Sequence, residues 1–121
     1  GSFPLFYTAT SSYPIDRCDG IDQIVKAWSY RRALQTVSGG MLIANPIPAE
    51  HSIPSSQIDP FIDAAIAAAE TNGARGKALT PFLLDYLARA TKGASIKANL
   101  ALLENNALLA AKIATALKDE R

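Results

Sequence analysis

Three asparagines, Asn99, Asn105 and Asn106, stand in an apolar run that otherwise reads as a helix. Asparagine is a poor helix former and adds little to an apolar face, so each needs a reason to be there. Asn99 and Asn106 are seven residues apart, which puts them on one helix face with Leu102 between them. A neutral amide donates and accepts, and the periodicity leaves two roles open: facing a ligand, or joining a buried hydrogen-bond network. His51 is the only histidine, so one chain cannot build a histidine pair or a histidine-rich metal site, and a surface or loop role is expected. Cys18 would need a base beside it to act as a nucleophile, and none is visible. It reads as a partly buried filler. Gly39-Gly40 leads into a strand pattern, whereas phosphate-cradling loops lead into a helix, so this pair reads as a helix stop. Arg75-Gly76-Lys77 could hold a phosphate, but three residues between helices fit a solvated turn at least as well.

The elements that must position these residues follow from apolar spacing and breakers. Phe3 to Ser11 mixes aromatic and β-branched residues and is closed by Tyr13-Pro14, which predicts a strand and then a loop. Asp19 is a candidate N-cap for a helix through Ile21, Ile24, Val25, Trp28 and Ala33 or Leu34 to Val37, stopped by the two glycines. Met41-Leu42-Ile43-Ala44 predicts a short buried strand that Asn45-Pro46-Ile47-Pro48 prevents from continuing. Three helices are expected next. Asp59 caps the first with Pro60 at its first position and Gly73 at its end; a start at Pro54 would put Pro60 inside. Thr80 and Pro81 repeat the device for a helix running to Gly93, and the last begins near Ser95. Its stripe of Ile96, Leu100, Leu103, Ala107, Ala110, Ala114 and Leu117 suits a packing helix docked along most of its length. The order strand, helix, strand, helices predicts α/β: two short strands and about four helices, as the carboxy-terminal portion of a larger α/β/α fold, since two strands alone make a poor sheet.

The chain has 121 residues, one domain by size over 1–121, and 49% of them are hydrophobic, enough for a core. Twelve basic residues against eleven acidic leave a charge of +1, scattered along the chain, which predicts neither nucleic-acid nor membrane-surface binding. The apolar stretches are alanine-rich and interrupted by polar residues, so no membrane span is expected. One cysteine and an opening without the regions of a secretory signal suit a reducing cytoplasm, or an organelle in a eukaryote.

Four blocks of sequence say more than their periodicity: FPLFY (Phe3 to Tyr7), GGMLIANPIP (Gly39 to Pro48), RGKALTPFLL (Arg75 to Leu84) and TKGASIKANLALLENNALLAAKIA (Thr91 to Ala114). In order and spacing they resemble the carboxy-terminal part of the pseudouridine-5'-phosphate glycosidase family, whose relatives include the proteins called indigoidine synthase A. The resemblance covers nearly the whole chain, with Arg17-x-Asp19 as a further, minor match. Two departures stand out: Pro60 replaces an ordinary helix former, and Lys92 replaces one glycine of a Thr-Gly-Gly turn.

The resemblance implies a lyase-type, reversible cleavage of the C–C glycosidic bond of pseudouridine 5'-phosphate to uracil and ribose 5-phosphate. It implies a lysine that forms a Schiff base with the opened sugar, a glutamate that transfers protons, and a divalent metal, usually manganese, held through an aspartate. The implied chemistry is sound, because a carbon leaving group departs with difficulty unless the ring opens and an iminium takes up the electrons. All three residues belong to the amino-terminal part of the family sequence, and Lys77 and Lys97 match none of them. The family residue that carries over is Asn99, which resembles one lining the substrate site. Implied partners are the substrate, the amino-terminal half and further copies in a homotrimer. The competing expectations are a non-catalytic helical interaction module and a C-glycosynthase of C-nucleoside assembly.

Overall fold

The computed structural model describes residues 1–34 and 39–119 and contains four α-helices: α1 (Ile21–Ala33), α2 (Ser55–Thr71), α3 (Leu79–Ala90) and α4 (Ala94–Asp119). Single 3₁₀ turns at Ala49–His51 and Gly76–Ala78 precede α2 and α3. Helices α2 and α3 pack on each other, α3 leans on the start of α4, and α1 lies against its far end. The core is a cluster of Tyr7, Ile47, Ile58, Ala65, Leu87 and Ala98, so the opening segment, the Pro46–Pro48 segment and three helices all meet at one point.

Neither expected strand is present among the described residues, where the only β-type pairing is an isolated antiparallel bridge between Ser2 and Pro14. The opening segment folds back on itself, with Phe3 N–H bonded to Tyr13 C=O at 2.8 Å. Further along it bonds to a loop: Ile53 N–H donates to Tyr7 C=O at 2.8 Å, the Thr8 hydroxyl to Ile53 C=O at 2.9 Å, and Ala9 N–H to Ser52 Oγ at 3.1 Å. These partners replace a strand ladder. Residues 41–44 lack even these, and run without helix, turn or bend. A strand is defined by its neighbour, and the residues described here supply none.

α1 begins one residue later than an Asp19 cap would have it. Gly20 is the N-cap, with no side-chain cap bond, while Gln23 Oε1 reaches back to Asp19 N–H at 2.9 Å and Asp19 pairs with Arg17. The helix is described to Ala33, and Val37 lies outside the described residues. α2 takes the earlier start, directly after Pro54, and Pro60 is inside it. The extra turn carries Ile58, only 1% exposed, into the core. Burying an isoleucine stabilises by about 1.5–3 kcal/mol, the same order as the roughly 3 kcal/mol that an interior proline costs, so burial can hold the turn in place. Pro60 is exposed, and Pro60→Ala would restore the missing amide without disturbing the core. That variant is expected to gain about 1–2 kcal/mol in urea unfolding, because alanine also leaves the unfolded chain freer.

α2 and α3 end in the same hydrogen-bonded motif. At the end of α2, Gly73 N–H bonds to Glu70 C=O and Ala74 N–H to Ala69 C=O; at the end of α3, Lys92 N–H bonds to Arg89 C=O and Gly93 N–H to Ala88 C=O. This closure needs a left-handed residue, which is Gly73 (φ 66°) after α2 but Lys92 (φ 51°) after α3. The departure from Thr-Gly-Gly therefore falls where a side chain is strained by about 1–2 kcal/mol. Lys92→Gly should raise stability, by about 0.5–1 kcal/mol after the entropy of a freer unfolded glycine is set against it, and thermal melts would show it. The motif holds regardless, because the Thr91 hydroxyl accepts the Ser95 N–H at 3.0 Å and donates to Leu87 C=O at 2.7 Å, joining the two helices.

α4 is not docked along most of its length. Only Ser95 and Ala98 on it are buried, and of the expected stripe Ile96, Leu100, Leu103, Ala107, Ala110 and Ala114 are exposed. The side that faces the chain is shifted, through Ala98, Leu102, Leu109 and Ile113. A helix apolar nearly all round offers no single stripe, so the sequence alone could not say which side would be covered. By length and composition α4 could also cross a membrane, a test that core helices of soluble proteins pass as well.

Candidate functional site

A groove of about 510 Å³ runs between the opening segment, the 42–45 segment and α4. Phe3, Leu5 and Phe6 form one wall, Leu42 to Asn45 the second, and Leu102, Asn106, Leu109 and Ile113 the third. The volume is that of a small-molecule pocket, and the lining is mostly apolar with an amide pair at one point.

The asparagines divide by role. Asn105 Nδ2 donates to Pro46 C=O at 2.9 Å, and Asn45 Nδ2 donates to Asn106 Oδ1 at 3.1 Å. Both bonds fasten the Asn45-Pro46 segment to α4, which fixes the second wall against the third. Pro46 and Pro48 lack N–H donors, so this segment cannot continue a regular ladder, and the Pro46 carbonyl takes its donor from a side-chain amide instead. Asn99 differs: it is half-buried and makes no side-chain hydrogen bond among the described residues. It stands one turn before Leu102 and within about 20° of Asn106 around the helix, beyond the end of the groove and not among its lining residues. The structural-network role thus falls to Asn105 and Asn106. Asn45 was not singled out from the sequence, although its place at the close of an apolar run, before Pro46, is the signal that could have found it.

The other candidates stay apart. His51 is exposed in the first 3₁₀ turn. Cys18 is exposed and not a filler; it sits in the loop before α1, where nothing apolar encloses it. Arg75, Gly76 and Lys77 are exposed in the turn before α3, and Gly39-Gly40 is exposed ahead of the 41–45 segment. Lys97 is exposed on α4. Among the described residues no three His, Cys, Asp or Glu side chains come together as a metal site. Tyr7, in the core cluster and outside the groove lining, has its phenol pKa raised by burial.

Residues 1–116 match the family described as Indigoidine synthase A like protein. A pseudouridine-5'-phosphate glycosidase of Kosmotoga olearia is 44% identical over 115 residues, 94% of this chain and 39% of the relative. One of Rhodospirillum centenum is 44% identical over 116 residues, 95% of this chain and 36% of the relative. An indigoidine synthase A-like protein of Thermotoga maritima, solved by crystallography, superposes with a TM-score of 0.83 at 32% identity, over 99% of this chain and 38% of its own. A prealnumycin C-glycosynthase, solved with ribulose 5-phosphate, shares the fold at a TM-score of 0.73 and 24% identity, over 95% of this chain and 39% of its own. The chain spans less than two-fifths of the length of these proteins and corresponds to the carboxy-terminal part of the glycosidases. With a family match over 116 consecutive positions and 44% identity to two of its members, this chain belongs to the indigoidine synthase A-like family.

Proposed function

We propose that the chain is the carboxy-terminal part of a pseudouridine-5'-phosphate glycosidase. The whole protein breaks the C–C bond between the base and the sugar and adds the elements of water, giving uracil and ribose 5-phosphate. The observation that carries this reading is the 44% identity to glycosidases over 94–95% of the chain. The C-glycosynthase likeness, at 24% identity, carries fold alone and does not favour bond formation over cleavage.

In this reading the amino-terminal part contributes the Schiff-base lysine, the proton-transferring glutamate and the aspartate that holds manganese. The described residues here do not fit a metal, so no step is assigned to one in this chain. This chain contributes a wall and an amide. The groove of Phe3, Leu5, Leu102 and Leu109 supplies an apolar wall, and the Asn45–Asn106 and Asn105–Pro46 bonds hold it in place. Asn99, whose amide has no partner among the described residues, hydrogen-bonds the uracil or the sugar. The assembly is a homotrimer in the cytoplasm. Uracil release by the chain joined to an amino-terminal part, with manganese supplied, is the test.

A further inference from the structure

Two sets of side-chain hydrogen bonds tie α4 to the rest of the chain, and they bracket Asn99. The later set is the Asn105–Pro46 and Asn45–Asn106 pair, six and seven residues on. The earlier set lies one turn before it, where the Ser95 side chain, 2% exposed, meets the Thr91 side chain that closes α3. Thr91 has one hydroxyl hydrogen, and Leu87 C=O takes it at 2.7 Å. The Thr91 oxygen is then left to accept both the Ser95 N–H and the Ser95 hydroxyl, each at 3.0 Å. Leu87 belongs to the core cluster, so this pair fastens the first turn of α4 to the core itself.

Apolar packing gives α4 little to index it at this place. Its two buried side chains are Ser95 and Ala98, both small, and its alanines and leucines run nearly all round. Turning α4 by one residue position, about 100°, would offer α3 another side of similar character but would break the hydroxyl pair and swing Asn99 away. A polar contact inside an otherwise interchangeable apolar seam selects one register over its neighbours. Ser95 and Asn99 are four residues apart, about 6 Å along the axis and about 40° around it, so the lock acts next to the amide. We infer that the Thr91–Ser95 hydroxyl pair sets the rotation of α4 and thereby aims the Asn99 amide, which makes Thr91 a positioning residue of the glycosidase. The inference rests on the reading of Asn99 as a substrate-binding amide and adds what holds that amide on its target.

Double-mutant kinetics in the chain joined to an amino-terminal part from a glycosidase relative test this, with uracil release and melting temperature read on the same samples. Thr91→Val keeps the shape and removes the hydroxyl, and kcat is expected to fall about tenfold, since small misplacements of a positioned group are costly. Thr91→Ser keeps the hydroxyl and should stay within about threefold of the parent. In an Asn99→Ala background Thr91→Val should cost less than about twofold in kcat, because no amide remains to be aimed, while it lowers the melting temperature equally in both backgrounds. Ser95→Ala removes one arm of the pair, should give the same pattern at about threefold, and serves where Thr91→Val does not fold. Equal kcat losses in the two backgrounds, or a Thr91→Val enzyme with lowered melting temperature and parental kcat, would overturn the inference, leave Asn99 in the site and make Thr91 a helix cap only. Parental turnover of Asn99→Ala itself would remove Asn99 from the site and overturn that reading and the inference together.

Discussion

The 121-residue chain by itself will release no uracil from pseudouridine 5'-phosphate with manganese present, and the same chain joined to an amino-terminal part from a glycosidase relative will. The reason lies in the bond being broken. A base linked through carbon leaves with its electron pair only if the opened sugar carries an electron sink, which the iminium of a lysine provides. The lysine that matches the family's position is expected in the amino-terminal part, and Lys77 and Lys97 are exposed, on the turn before α3 and the outside of α4, with no enclosed site beside either. Proximity cannot be supplied by a group that is not there, and a gap of at least about 10³-fold between the two preparations is expected. The measurement is uracil formation followed by absorbance after chromatography. Uracil release from the chain alone at a rate within tenfold of the joined protein would overturn the division of labour and require a nucleophile among these residues.

The helices were legible and the strands were not, for one physical reason. Helical hydrogen bonds close within the segment, so spacing and breakers find the helices: Gly73 after α2 and the Thr91–Gly93 turn after α3 sit where the sequence puts them, while α1 starts one residue after its expected Asp19 cap would begin it and α3 two residues before its expected start at Pro81. A strand's bonds close on another segment, and Phe3 to Ser11 finds Ser52-Ile53 and its own far end, while Met41 to Ala44 finds no backbone partner among the described residues. The start of α2 was misplaced because local proline geometry was weighed without the burial of Ile58, a tertiary effect of similar size. The docked side of α4 was misplaced because its alanines and leucines run nearly all round it.

The site was legible only as residue types. Sequence alone pointed to three amides on α4 and could not assign them, since an amide bonded to a backbone carbonyl and one awaiting a ligand have the same spacing. Distances separate them: Asn105 and Asn106 are engaged with Pro46 and Asn45, and Asn99 is not engaged. The family resemblance singles out the same residue on independent grounds.

That division sets up opposite outcomes for two alanine variants of the joined enzyme. Asn105→Ala leaves Pro46 C=O without its donor and frees the groove wall, so it should lower unfolding stability by about 1 kcal/mol. Turnover of the folded fraction should fall by less than about threefold, because the Asn45–Asn106 bond still holds the segment. Asn99→Ala removes an amide that bonds nothing among the described residues, so the melting temperature should move by no more than a degree or two. If its amide grips the substrate more tightly in the transition state than in the ground state, the lost hydrogen bonds cost about 1–3 kcal/mol there, which is roughly a tenfold to hundredfold fall in kcat. A fall in KM-linked binding alone, with kcat kept, would instead mean that Asn99 holds substrate and transition state equally. Melting temperature and steady-state kinetics measured on the same samples separate these cases. An Asn99→Ala enzyme with lowered melting temperature and normal kcat and KM would remove Asn99 from the site and make it a packing residue of α4.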